Sequence, residues 1–152
     1  MWVTVTDMPD TGPNAAFVDD QDGASDKRLD SPAIPINSGS AVMSFRHSFN
    51  TEFDGTTYWD GGVLEISAPN VNGGAFTDIT DPAVGGSFFS GGYTGQIYND
   101  QPPANNPLAG RFAWSGNSNG YITTIVNLGL NLNGQTVIFR WRMGTDDATS
   151  AP

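Results

Sequence analysis

From Ala41 to Phe49 the sequence AVMSFRHSF alternates. Ala41, Met43, Phe45, His47 and Phe49 fall on one face, and Ser44, Arg46 and Ser48 on the other. A period of two is the mark of a strand with one buried face. The same pattern recurs at Gly62 to Ser67, with Leu64 and Ile66 opposite Glu65, and at Tyr121 to Leu128. There Ile122, Val126 and Leu128 share a face, and Tyr121 and Ile125 take the other. Thr136 to Met143 is the clearest case, with Val137, Phe139, Trp141 and Met143 inward and Arg140 and Arg142 outward. Trp2 to Thr6 adds a short β-branched run. Turns are expected at Asn72-Gly73-Gly74, Gly85-Gly86 and Gly91-Gly92, and the Pro-rich stretch Gln101 to Pro107 is expected to be a surface loop. Asn133-Gly134 reads as a hairpin joining the two C-terminal strands. No stretch carries a capped 3.6-residue stripe. The pattern predicts one all-β domain over residues 1–152, an antiparallel β-sandwich of jelly-roll type with long loops and little helix.

Composition sharpens this. The 19 glycines and 10 prolines suit short strands and many turns. With 16 acids against 6 bases, the formal charge is −10. That balance argues against nucleic acid, whose phosphates need clustered Lys and Arg, and against anionic membranes. It favours attraction of cations such as Ca²⁺. The chain has no cysteine, which excludes disulfides, zinc–thiolate sites and thiol nucleophiles. No apolar run approaches the roughly 18 residues of a membrane span. The opening MWVTVTDMPD has neither the basic nor the apolar region of a signal peptide, so an export signal is expected to lie outside this sequence.

Two acidic loops are the candidate chemistry. Asp19, Asp20 and Asp22, with Asp26, form the first; Glu52, Asp54 and Asp60, within EFDGTTYWDGG, form the second. A sandwich can bring both to one rim, where their oxygens could surround a Ca²⁺ ion. Two other readings compete: ordinary Asx turns, and a hydrolytic carboxylate pair of Glu52 with Asp60 or Glu65. Glu65 lies within a strand and is expected to pair with Arg46 or Arg140 across the sheet. His47, the single histidine, reads as a core or edge imidazole with a satisfied hydrogen bond, because no nucleophile elbow accompanies it. Tyr58, Trp59, Tyr93, Tyr98, Phe88 and Phe89 occupy glycine-rich stretches, where rings either stack on sugars or pack under loops. Trp114 and Trp141 read as core.

Seven phrases carry a family resemblance: SDKRLDSPAIPI (25–36), FRHSFNTE (45–52), WDGGVLEIS (59–67), SGGYTGQI (90–97), NPLAGRFAWSG (106–116), GYITTIVNL (120–128) and FRWRMGTD (139–146). In order, they resemble a β-sandwich domain of large secreted bacterial proteins, including peptidases of the immune-inhibitor-A type. Such domains are similar to MAM and carbohydrate-binding jelly rolls, are usually non-catalytic, and commonly bind calcium. Glu52, Asp60, Asp26 and one of Asp19 and Asp20 fall on matching positions, whereas Asp54 lies in a longer insertion. The resembled domains continue past the GTD segment into a further strand, so an unpaired strand edge is expected here, open to another chain or peptide or covered by the N-terminal strand.

The resulting expectation is a non-catalytic, extracellular, calcium-stabilised binding or adhesion module for a polysaccharide or glycan. Its metal set is Asp19, Asp20, Asp26, Glu52 and Asp60, and its ligand set is Trp59, Tyr58, Tyr93 and Tyr98. A protein–protein module that pairs through an open strand edge is the alternative, and a glycoside hydrolase comes third.

Overall fold

A computed structural model describes residues 1–99 and 105–147. Its twelve strands are β1 (Val3–Val5), β2 (Ala15–Phe17), β3 (Ser25–Asp30), β4 (Ile34–Pro35), β5 (Val42–His47) and β6 (Gly61–Ser67). They continue with β7 (Thr77–Asp78), β8 (Ser87–Ser90), β9 (Gly95–Gln96), β10 (Phe112–Ala113), β11 (Ile122–Asn127) and β12 (Thr136–Thr145). Two antiparallel sheets face each other as a sandwich. One has the order β3-β12-β6-β7, with β4 also on β12; the other has the order β5-β11-β8. The chain repeatedly changes sheet between consecutive long strands, from β5 to β6 and from β11 to β12. Among the described residues no helix is long and apolar enough to cross a membrane.

The alternating positions face as their pattern predicts. Leu64 and Ile66 of β6, Val137 and Phe139 of β12, and Val126 and Leu128 near β11 bury into one core with Trp114. Each such aliphatic side chain contributes about 1.5–3 kcal/mol on burial. Phe45 of β5 bridges the sheets, meeting Trp114 and Trp141 edge-on at ring distances of 5.7 and 5.4 Å. That geometry suits the negative face and positive edge of aromatic rings.

Behind β6 lies a second, smaller cluster of Val63, Ile97, Leu108 and Ala113. Residues 92–99 and 105–113 therefore cover the outer face of β6, and Glu65 is 3% exposed although it points away from the main core. Its carboxylate accepts hydrogen bonds from Arg111 and from Arg142 Nη1 (3.2 Å). This corrects the expected partners. Arg140 is the directly opposed residue in register, but its guanidinium forks onto Asp30 at 2.7 and 2.8 Å. Arg46 belongs to the other sheet and binds Asp10.

Asn133-Gly134 is likewise not a hairpin. β11 pairs with β5 and β8, whereas β12 pairs with β3, β4 and β6. A two-residue hairpin of type I′ needs positive φ at both central residues. Here Asn133 has φ −60 and Gly134 φ 78, with Gln135 N–H bonded to Leu132 O at 3.0 Å. These are the angles of a type II turn, and it carries the chain across the sandwich. Strand β12 is enclosed on both sides, by β3 and β6. Residues 101–104 of the expected Pro-rich loop, and the last residues of the chain, lie outside the described set.

His47 is part of the packing. Its ring lies 4.7 Å from that of Trp114 and 5.0 Å from that of Phe45. Thr124 Oγ1 donates to Gly91 O at 2.7 Å, so it accepts from His47 Nε2–H at 2.8 Å. Burial pushes the imidazole down to about 4, because the core disfavours its charged form. The neutral ring is the folded form, so its contribution is complete above pH 6.5 and is lost as pH falls from 6.5 through 4. Urea unfolding of the wild type and of His47→Gln isolates this part: the wild type should lose about 3 kcal/mol relative to the variant across this window. An unchanged slope in the variant would refute the assignment.

Candidate metal centre

Three chain segments meet at one end of the sandwich. Gly61 pairs with Gly144 where β6 begins and β12 nears its end. That register sets Asp60, just before β6, beside Asp146, just after β12. Glu52 comes from the far end of the same β5–β6 connection. Carboxylate oxygens of Glu52, Asp60 and Asp146 all lie within 4.8 Å of one another. Asp60 is 1% and Asp146 9% exposed.

A fourth carboxylate borders them. Asp20 Oδ2 accepts the Glu52 backbone N–H at 3.1 Å, and Asp20 Oδ1 and Glu52 Oε2 are sealed from solvent. Burial, together with the neighbouring Asp20 and Asp146 carboxylates, pushes Asp60 well above the carboxylate range, to about 8; the Asp146 N–H bond pulls the other way. Ionised carboxylates 4.8 Å apart repel by about 3 kcal/mol per pair at an effective dielectric near 20. The arrangement is costly until a cation or a proton joins it.

The surrounding polar groups fix Asp60 in place. Its Oδ1 accepts the Asp146 N–H at 2.7 Å and Asn106 Nδ2 at 3.2 Å. Asn106 Nδ2 also reaches Trp59 O at 2.7 Å and Gly144 O at 3.1 Å. The Asp60 carbonyl accepts from Thr51 Oγ1 at 3.1 Å and from Ser115 Oγ. Glycine is required at 144, since a Cβ there would stand 2.5 Å from Asn106 Oδ1. The donor set is all hard oxygen, chemistry that suits a hard metal cation. An ion about 2.4 Å from each oxygen needs those oxygens no more than about 5 Å apart.

Of the expected metal set, the structure gathers Asp20, Glu52 and Asp60. It does not gather Asp19 or Asp26. Asp19 is exposed and binds Lys27 Nζ at 2.7 Å. Asp26 faces outward on β3. Burial works to raise it, but hydrogen bonds from Arg142 (2.8 and 3.0 Å) and Arg28 outweigh that and hold it at about 2. Asp54 serves as a turn carboxylate: Oδ1 accepts Thr56 Oγ1 and the N–H groups of Thr56 and Thr57, and Oδ2 accepts Trp59 Nε1 at 3.2 Å. Those bonds, from Thr56 first, hold it at about 2.

All six basic side chains form ion pairs with other carboxylates: Asp10, Asp19, Asp26, Asp30, Glu65 and Asp78. Sequence reading missed Asp146 and Asn106. Asp146 ends the FRWRMGTD phrase, where only the register of β12 on β6 reveals its role. Asn106 was expected on the surface yet is 5% exposed.

The expected ligand residues divide. Tyr58 stacks on Phe53 (4.4 Å, 16°), and Trp59 tilts against Tyr98 (4.6 Å, 58°). Phe53 and Tyr98 are 42% and 37% exposed. Tyr58 lies over Gly95, where a Cβ would come within 2.1 Å of its ring. Tyr93 is a core residue instead. Its ring contacts Trp114 at 4.9 Å and Phe88 at 4.8 Å, and its hydroxyl donates to Asp78 Oδ2 at 3.0 Å while accepting Leu64 N–H.

No protein-family model, curated protein or solved structure matches this chain.

Asp60→Asn keeps an acceptor for the Asp146 N–H and removes a carboxylate ligand from the cluster. In EDTA the variant should melt at or above the wild-type temperature, whereas added CaCl₂ should raise its midpoint far less than it raises the wild type's. Asp26→Asn should keep the full calcium response. Loss of the response in Asp26→Asn but not in Asp60→Asn would overturn this assignment.

Proposed function

We propose that the protein is a non-catalytic, calcium-stabilised β-sandwich module that binds carbohydrate outside the cell. The observation that carries the reading is the convergence of Glu52, Asp60 and Asp146 oxygens within 4.8 Å at a buried sandwich end. Their all-oxygen chemistry and their origin in separate chain segments favour Ca²⁺, which accepts irregular oxygen cages, over ions that need nitrogen or sulfur. Asp20 is the neighbouring carboxylate best placed to complete the shell. The resemblance to secreted bacterial sandwich domains points the same way.

Carbohydrate is the ligand class that the adjoining surface favours. Phe53, Tyr58, Trp59 and Tyr98 offer ring faces for sugar C–H groups. The exposed Asp54 carboxylate has further acceptor lone pairs for hydroxyls on Oδ2, beside the bond from Trp59 Nε1. A hydrolytic role for Glu52 and Asp60 is disfavoured by burial: Asp60 is 1% exposed, whereas a hydrolytic carboxylate must share a cleft with a sugar and a water.

Thermal melts in EDTA and in CaCl₂ test the metal. At calcium a hundredfold above Kd the folded state gains about 2.7 kcal/mol, so the midpoint should rise by about 5–10 °C. An unchanged midpoint would sink the calcium reading. A glycan array probed with the calcium-loaded protein and with Trp59→Ala tests the ligand class. Binding that the variant loses supports carbohydrate; silence across the array favours the protein-binding alternative through an open strand edge.

A further inference from the structure

We infer that the cation controls the aromatic surface: calcium at Glu52, Asp60 and Asp146 locks the Phe53 arm of the β5–β6 loop against Tyr58, so ligand binding is calcium-dependent. This rests on the calcium reading above.

The loop is a small hairpin whose two feet are the acids. Phe53 and Tyr58 form an antiparallel bridge, Asp54 N–H bonds Thr57 O at 3.3 Å, and Trp59 N–H bonds Glu52 O at 3.2 Å. Glu52 thus stands directly opposite Trp59, one rung below the stacked Phe53–Tyr58 pair. Metal site and ring pair are consecutive rungs of one hairpin, so coupling needs no long pathway.

The two arms are held unequally. The Tyr58–Trp59 arm is tied to the body: Tyr98 N–H bonds Tyr58 O at 2.8 Å, Asn106 Nδ2 bonds Trp59 O, and Tyr58 covers Gly95. The other arm, Phe53 to Thr56, is exposed throughout. Below it, the Glu52 backbone is tied to the Asp20 carboxylate. When the cation leaves, the link it makes between Glu52, Asp60 and Asp146 is lost at the foot of this arm. Phe53 then loses its fixed position over Tyr58, and the paired ring surface opens. Where two events share one equilibrium, their coupling is reciprocal. A change that loosens the hairpin tip must therefore weaken calcium, even at a residue that is not a ligand. Asp54 is that residue, because its carboxylate organises the tip through Thr56, Thr57 and Trp59. It is a positioning residue.

The test uses the full chain with calcium alone. Calorimetry measures binding of CaCl₂, and amide hydrogen exchange is followed in CaCl₂ and in EDTA. Calcium should slow exchange of the Glu52, Asp54 and Trp59 amides at least tenfold. Asp54→Ala should bind calcium about 5-fold or more weakly, within the usual range of coupled sites, whereas Asp26→Asn should bind it as the wild type does. Loop amides indifferent to calcium that calorimetry shows to be bound, or wild-type affinity in Asp54→Ala, would overturn the coupling and leave the metal site standing. No detectable calcium binding would remove both.

Discussion

The pairing of β12 between β3 and β6 is the constraint from which most of this molecule follows. One ten-residue strand contributes Val137, Phe139 and Trp141 to the core and Arg140 and Arg142 to the outer face. Its register on β6 also decides what happens at the end of the sheet. Because Gly144 lies opposite Gly61, the residues just beyond, Asp146 and Asp60, are brought together whatever the electrostatic cost. A slip of one residue would exchange the faces of the strand and dissolve both the core and the acid cluster.

Charge is distributed in two ways on this frame. Across the outer sheet face, acids and arginines alternate: Asp26 with Arg28 and Arg142, Glu65 with Arg142 and Arg111, Asp78 with Arg111, Asp30 with Arg140. Glu65 is the most enclosed of these, and its bond from Arg111 pins residues 105–113 down on β6. At the sandwich end, acids gather with acids. Buried like charges oppose folding, and a structure that keeps them gains a place where a cation, once bound, stabilises the folded chain by mass action. The same end carries the aromatic hairpin, so under the proposed function stability and recognition share one piece of backbone.

The polar scaffold around Asp60 shows how such a site is held. Thr51, Ser115 and Asn106 each bond to the Asp60 residue from a different segment, and a glycine at 144 makes room for Asn106. Buried polar groups of this kind need partners with good geometry. With the Asp146 N–H, the partners here come from four places along the chain.

The sequence by itself determined the faces of the long strands. A strand repeats every two residues, so the inward sets of β5, β6, β11 and β12, the core roles of Trp114 and His47, and the all-β class can be read from local alternation. Two acids of the candidate site, Glu52 and Asp60, were legible because they bracket a loop between two such strands. Tertiary structure alone decided the rest. Asp19 and Asp26 differ from Asp20 only in what lies opposite them, a lysine or arginines, and no local pattern reveals that. Asn133-Gly134 chose a type II turn because the strands it joins bury their faces against each other across the core, not side by side. Asp146, Asn106 and the burial of Tyr93 depend on the register of β12 and on the segment folded over β6. These are contacts between residues far apart in the chain, and alternation carries no information about which distant partner a face will meet.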